Sequence, residues 1–248
     1  MPDQPRVHVF PHPEAVGHAA AEQFLRLVLA TDPAVPFSVV LSGGSTPRRL
    51  FATLTDPPYV DHVPWERVHL FWGDERPVPP DHPDSNYGTA ASTLLDAVPV
   101  PSANVHRIPG ELEPERAAET YEDELRSFFD LDDGTAPRFD LAFMGLGTDG
   151  HTASLFPGSE ALAENRRLVV APWVEKLDSY RISLTCKAFN NSAFIIFLVT
   201  GGNKAETLRQ VLEGPAGRYP AQLIRPSEGE LHWYIDSAAG RLLEGAGE

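Results

Sequence analysis

The segment Met144-Gly145-Leu146-Gly147-Thr148-Asp149-Gly150-His151-Thr152-Ala153-Ser154 places a carboxylate and an imidazole two residues apart in a glycine-rich stretch directly after an apolar run. Of nine histidines in the chain, His151 alone sits in such a stretch. An imidazole exchanges protons near neutral pH, and a neighbouring carboxylate orients the ring or stabilises its cation. Asp149 and His151 are therefore the candidate proton-transfer pair. The same segment spells G-x-G-x-x-G, the pattern of a dinucleotide loop, but its context argues against that reading. Asp149 would oppose a pyrophosphate, Pro157 restricts the helix that should follow, and no acid ends the next strand near Val170 to take a ribose.

Three further groups of residues have chemical potential. Ser42-Gly43-Gly44-Ser45-Thr46-Pro47 follows the apolar run Phe37–Leu41. Its glycines expose consecutive N–H groups, Ser45 or Thr46 is expected to cap the next helix, and Pro47 suits the first turn. Amides, hydroxyls and the positive helix end would together cradle a phosphate, although an ordinary capped turn would look similar. Gly73-Asp74-Glu75-Arg76, followed by Asp84-Ser85-Asn86-Tyr87, puts two carboxylates and a guanidinium beyond another apolar run; a plain charged loop is the competing reading. Arg181 and Lys204 are cations at segment ends that either neutralise a phosphate or are simply solvated. Lys204 is the stronger of the two, because a lysine near a helix N-terminus opposes the dipole unless an anion sits there. There is no G-x-S-x-G nucleophile elbow, no G-x-x-x-x-G-K-[ST], no C-x-x-C and no H-E-x-x-H. The expected chemistry uses water, protons and electrostatics, with no metal and no cofactor.

These residues must be held by a scaffold, and the hydropathy pattern indicates which kind. Short apolar runs at Val7–Phe10, Phe37–Leu41, Val68–Trp72, Phe139–Met144, Leu168–Ala171, Arg181–Thr185, Ala193–Thr200 and Leu231–Ile235 read as strands, several covered on both faces. Between them, helices are predicted over Glu14–Ala30, from Ser85 as cap through Asn86–Val98, after Pro114, over Lys204–Leu212 and over Ser237–Leu243. Alternation of this kind predicts an α/β fold with a doubly wound, mostly parallel sheet and helices on both faces. Proline-rich breaks read as loops, so residues 1–248 are expected to form one catalytic domain. In such a sheet ligands bind beyond the C-terminal strand ends, where the first three groups and Lys204 fall, while Arg181 opens its strand.

The chain has 248 residues, with 20 Lys and Arg against 35 Asp and Glu, a formal net charge of −15. That balance argues against nucleic-acid and anionic-membrane partners but not against a small anion held by local cations. The single cysteine, Cys186, cannot form an internal disulfide. Met1 to Phe10 lack the apolar core of a signal peptide, and no apolar run approaches the roughly 20 residues of a membrane helix. A cytoplasmic location is the expectation.

Leu41-Ser42-Gly43-Gly44-Ser45-Thr46-Pro47, Gly73-Asp74-Glu75-Arg76 with Ser85-Asn86, the stretch from Gly145 through His151 to Gly158, and Gly201-Gly202-Asn203-Lys204-Ala205 occur in an order that resembles the 6-phosphogluconolactonases. The resemblance runs from about residue 7 to 240. It implies a cytosolic, metal-independent esterase acting on a small sugar-phosphate lactone, with the fold shared by glucosamine-6-phosphate deaminases and ribose-5-phosphate isomerases. On these residues His151 is expected to act as general base with Asp149 orienting the ring or stabilising its cation, backbone N–H groups of Gly43 or Gly44 together with Arg76 to serve the oxyanion, and Ser42–Thr46, Arg181 and Lys204 to hold the phosphate, with Asp74, Glu75 and Asn86 in support. A deaminase would resemble G-x-D-G-H-I-A-F-N-E-P, with a glutamate five residues after the histidine. Here that position is Phe156, and Arg76 stands where the deaminases usually carry an aromatic residue. A non-catalytic sugar-phosphate sensor is the other alternative, disfavoured because only one strand and one helix precede Phe37.

Overall fold

All five side chains of Phe37–Leu41 and all six of Phe194–Val199 are buried, as strands covered on both faces must be. The structure, a computed structural model, describes residues 6–244; residues 1–5 and 245–248, which the one-domain expectation includes and which contain the start of the leader reading from Met1, lie outside the described residues. Along the chain the strands are β1 (Arg6–Phe10), β2 (Phe37–Leu41), β3 (Val68–Trp72), β4 (Asp74–Glu75), β5 (Val105–His106), β6 (Leu141–Gly145), β7 (Val169–Val170), β8 (Trp173–Val174), β9 (Ser179–Tyr180), β10 (Ile182–Leu184), β11 (Phe194–Val199) and β12 (Glu230–Asp236). Seven of them form one sheet in the order β1-β12-β11-β6-β2-β3-β5, and every pairing in it is parallel. From β2 the chain proceeds outward through β3 and β5; from β6 it proceeds the other way through β11 and β12. The fold is thus doubly wound. Its order reverses between β2 and β6, and a crevice opens at such a point because the loops leaving the two strands diverge.

Two predicted strands lie elsewhere. The runs at Leu168–Ala171 and Arg181–Thr185 become β7 and β10 of a separate antiparallel sheet, β4-β10-β7, that continues from the end of β3. Leu184 N donates to Gly73 O at 2.9 Å where the two sheets meet. An apolar run reports burial but not the direction of its neighbours, so the hydropathy pattern did not separate these strands from the parallel set. Arg181 falls just outside β10.

The helices follow their sequence signals at the start and depart from them at the ends. Pro13–Ala30 begins with His12 Nδ1 accepting from Ala15 N at 3.2 Å. Ser85 caps Asn86–Ala90, its hydroxyl accepting from Gly88 N at 3.0 Å, but the helix widens over Ala91–Leu95 and stops short of Val98. The helix after β2, Ser45–Leu54, is capped by no side chain: Gly44 (φ 111°, ψ 178°) is the N-cap, and Ser45 and Thr46 lie inside the first turn. Thr46 Oγ1 instead meets Thr200 Oγ1 at 2.8 Å, tying this loop to the end of β11. Gly202–Lys204 is a tight 3₁₀ turn ahead of Ala205–Glu213, and the last helix is only Ser237–Gly240.

One buried contact sets where β3 hands over to the site. Strand β5 ends opposite Phe71, which would leave the backbone of Trp72 unpaired on that side. Tyr121, from the helix Pro114–Phe128, fills the gap: its hydroxyl accepts from Trp72 N at 2.9 Å and donates to Trp72 O at 3.1 Å. Burial raises the pKa of this fully enclosed phenol well above 10, so it remains a donor. Tyr121→Phe leaves both backbone groups unsatisfied, and chemical denaturation is expected to show a loss of about 1–3 kcal/mol. An unchanged denaturation midpoint would show that the latch is dispensable.

Candidate active site

The crevice between β2 and β6 is a cleft of about 310 Å³ walled by the loops that leave β2, β3, β6 and β11. It is lined by Ser42, Gly43, Gly44, Ser45 and Thr46, by Asp74, Arg76 and Asn86, by Gly145–Thr148 and His151, and by Lys204. Ten of the residues singled out from sequence therefore share one cavity. Asp149, Glu75 and Arg181 do not line it.

The loop after β6 folds back so that Gly147 N donates to His151 O at 2.8 Å, with Gly150 turning through φ 79°. This return lays the imidazole across Gly147, where a Cβ would stand 2.1 Å from His151 Nδ1. On that ring Phe156 stacks at 4.3 Å between centroids, tilted by 27°. The position that carries a glutamate in the deaminase pattern thus holds an apolar ring packed on the imidazole. Nδ1 of His151 lies 2.5 Å from Asp149 Oδ1, while Nε2 has no protein partner among the described residues. With Asp149 accepting, Nδ1 carries the proton and the lone pair of Nε2 is free. Burial raises the Asp149 pKa, but hydrogen bonds from Lys176 and His151 outweigh it and hold the carboxyl well below the usual carboxylate range. Asp149 is ionised throughout the neutral range.

Opposite, the segment after β3 is locked from behind. Glu75 is 2% exposed and accepts from Arg76 N, Ser85 Oγ, Asn86 N and Tyr87 N at 2.7–3.0 Å. Burial pushes its carboxyl pKa up despite these donors. These bonds brace the 85–87 turn from behind. Asn86 in turn donates to Asp74 O at 2.8 Å and to Asp74 Oδ1 at 3.2 Å, and Ser154 Oγ donates to Asp74 Oδ2 at 2.6 Å. Asn86 also explains a glycine: a Cβ on Gly43 would stand 1.9 Å from Asn86 Oδ1. The backbone N–H groups of Gly43 and Gly44 make no hydrogen bond to protein among the described residues, leaving two donors in the cleft.

The cations divide. Lys204 is half-buried in the cleft and its ammonium has no hydrogen-bonded partner among the described residues; burial lowers its pKa and the charge of Asp149 partly offsets this. Arg76 donates to Asp84 O. Arg181, expected to share a phosphate with Lys204, has its guanidinium in the field of Arg76 and donates to Tyr180 O at 2.7 Å. Burial lowers its pKa, and the nearby Arg76 charge adds to that effect. Among the described residues, no cluster of three or more His, Cys, Asp or Glu has the geometry to hold a metal ion.

Sequence reasoning missed Lys176 and Ser154. Lys176 Nζ lies 2.6 Å from Asp149 Oδ2, across a separation that no local motif announces. Ser154 stands inside the glycine-histidine segment, but its partner Asp74 is 80 residues away.

The family model for glucosamine-6-phosphate isomerases and 6-phosphogluconolactonase matches residues 11–233. The chain belongs to this family. It is similar to the 6-phosphogluconolactonase of Synechocystis sp., 43% identical over 209 residues that cover 83% of this chain and 84% of that protein. The Haemophilus influenzae 6-phosphogluconolactonase is 41% identical over 210 residues, covering 84% of this chain and 88% of that one. Among solved structures, the 6-phosphogluconolactonase from Trypanosoma cruzi superposes with a TM-score of 0.88 at 25% identity, covering 98% of each chain. A monomeric glucosamine-6-phosphate deaminase shares the fold at a TM-score of 0.81 and 19% identity, with 96% of this chain and 99% of that one covered.

Gly43→Ala tests the cleft's closest backbone approach. The added methyl must displace Asn86 and with it the Asp74 anchor, so kcat/KM is expected to fall by about 10-fold or more while far-UV circular dichroism stays native. Unchanged kinetics would show that the loop has room to shift.

Proposed function

We propose that this chain hydrolyses 6-phospho-D-glucono-1,5-lactone to 6-phosphogluconate, the lactone-opening step of the oxidative pentose phosphate pathway, with His151 as general base. The observation that carries the reading is an imidazole whose Nδ1 is bound to an ionised carboxylate and whose unpartnered Nε2 belongs to the same cleft as a half-buried, unpartnered ammonium.

The chemistry follows from those two features. Nε2 removes a proton from water as the water oxygen bonds to the lactone carbonyl carbon. Asp149 stabilises the imidazolium that forms, and the tetrahedral oxyanion accepts from the free N–H groups of Gly43 and Gly44, with Arg76 adding positive charge. The bond from that carbon to the ring oxygen then breaks, and Nε2–H returns its proton to the departing oxygen, which becomes a hydroxyl. Protons balance and His151 ends neutral. The phosphate belongs with Lys204 and the first turn of Ser45–Leu54, where ammonium, amides and helix dipole reinforce one another. Anchoring a dianion several bonds from the ester fixes the carbonyl beside His151 and lowers the barrier through orientation. A deaminase reaction would need a proton-transferring carboxylate at position 156, and Phe156 has none.

His151→Ala is expected to lower kcat by about 10²–10⁴-fold with KM nearly unchanged, since the ring acts in the transition state more than in binding. Retention of wild-type kcat would remove the base assignment. Lys204→Ala is expected to raise KM for the phosphorylated lactone at least about 10-fold and to leave turnover of unphosphorylated gluconolactone unaltered. Equal effects on both substrates would place the phosphate elsewhere.

A further inference from the structure

Lys176 sits in the turn Glu175–Leu177 of the hairpin formed by β8 and β9, and its ammonium reaches Asp149, 27 residues earlier in the chain. The hairpin does not need that contact for its own pairing. Trp173 pairs with Tyr180 and Val174 with Ser179, the rings of Trp173 and Tyr180 meet edge to face at 5.0 Å, and Asp178 closes the turn at φ 45°, ψ 43°. Burial does not account for the contact either, because the lysine side chain is 60% exposed. What it meets is the carboxylate that holds the imidazole.

We infer that Lys176 is a positioning residue for the hydrolytic step, acting through Asp149 to fix the orientation of His151 and to counter the carboxylate charge beside its ring. The inference rests on the reading of His151 as the base. A carboxylate bonded through one oxygen can still rotate about its Cβ–Cγ bond. Asp149 Oδ1 accepts from His151 N at 3.3 Å and lies 2.5 Å from Nδ1 of the ring, and the contact of Oδ2 with Lys176 at 2.6 Å engages the second oxygen and opposes that rotation.

Charge gives the second effect. His151 must be neutral to accept a proton from water. A bare carboxylate at Nδ1 favours the imidazolium, and a cation on the far oxygen cancels part of that field. The charged groups around this ring are Asp149 from its own loop, Lys176 bonded to Asp149 from the hairpin, and, lining the same cleft, Lys204 from the start of Ala205–Glu213 and Asp74 and Arg76 from the segment after β3. Gly147 and Phe156 are uncharged. Of the cations, Lys176 alone is hydrogen-bonded to Asp149 among the described residues. Its removal leaves the imidazolium better stabilised, so a smaller fraction of the ring is neutral at a given acidic pH.

The test compares Lys176→Met, Lys176→Arg and His151→Ala in the full chain. One readout is the pH dependence of kcat on 6-phosphogluconolactone, corrected for spontaneous hydrolysis. The other is NMR titration of the His151 ring, identified by its absence from H151A. Lys176→Met is expected to move both the acid limb and the ring titration to higher pH by about 0.5–1 unit, with KM little changed. Lys176→Arg keeps the charge and is expected to keep the wild-type profile. An unmoved ring titration in the Met variant, or equal displacement in the Met and Arg variants, overturns the role of Lys176. Full activity in H151A overturns the base reading instead, and the ring titration still decides whether Lys176 acts on the imidazole.

Discussion

A carboxylate bound to one nitrogen of an imidazole leaves the other nitrogen as the ring's single working end. Everything else in this site depends on Asp149 holding His151 that way. The contact is short in sequence, two residues, yet it survives only because the loop around it is over-determined. Gly147 clears the space under the ring, Phe156 covers its face, and the loop's backbone closes on itself through Gly147 N and His151 O. Remove any of these and the ring has room to turn, after which the carboxylate no longer selects which nitrogen meets the cleft.

The sheet contributes position rather than chemistry. Strands β2 and β6 are neighbours in space, but the chain leaves them toward opposite edges, so their loops part and leave a crevice between them. The Ser42–Thr46 loop forms one wall and the glycine-histidine loop the other, with the segments after β3 and β11 closing the sides. The Thr46–Thr200 contact ties two of these walls together at their bases. Spacing between the His151 loop and the Ser42–Thr46 loop is thus set by strand separation, a quantity that the hydrogen-bonded ladder holds nearly constant.

Much of this was legible in the residues. Glycine-rich segments after apolar runs announce places where backbone must approach something closely, and Gly43 against Asn86 and Gly147 against His151 are two such approaches. The strand–helix alternation carried the parallel sheet. What stayed hidden was of another kind. The runs that became β7 and β10 are as apolar as sheet strands because they too are buried, and nothing in a hydropathy pattern distinguishes an antiparallel neighbour from a parallel one. Ser45 and Thr46 looked like caps by residue type, but the chain enters the helix one residue earlier, at Gly44, whose positive φ those side chains would disfavour. The contact between Lys176 and Asp149 stayed hidden for the same reason. A surface cation's partner is decided by which loops meet in space, and two-residue strands leave almost no signal of that meeting.

The stacking of Phe156 on the imidazole has an implication for how such an enzyme can change its work. His151, Asp149, Arg76 and Lys204 sit on connecting segments, and strands β2 and β11 below them are fully buried. An acid in place of that benzyl group would bring a second titrating site against the ring without touching a single strand. Diversification in this scaffold can therefore proceed at its rim one side chain at a time, while the hydrophobic layer beneath stays as it is.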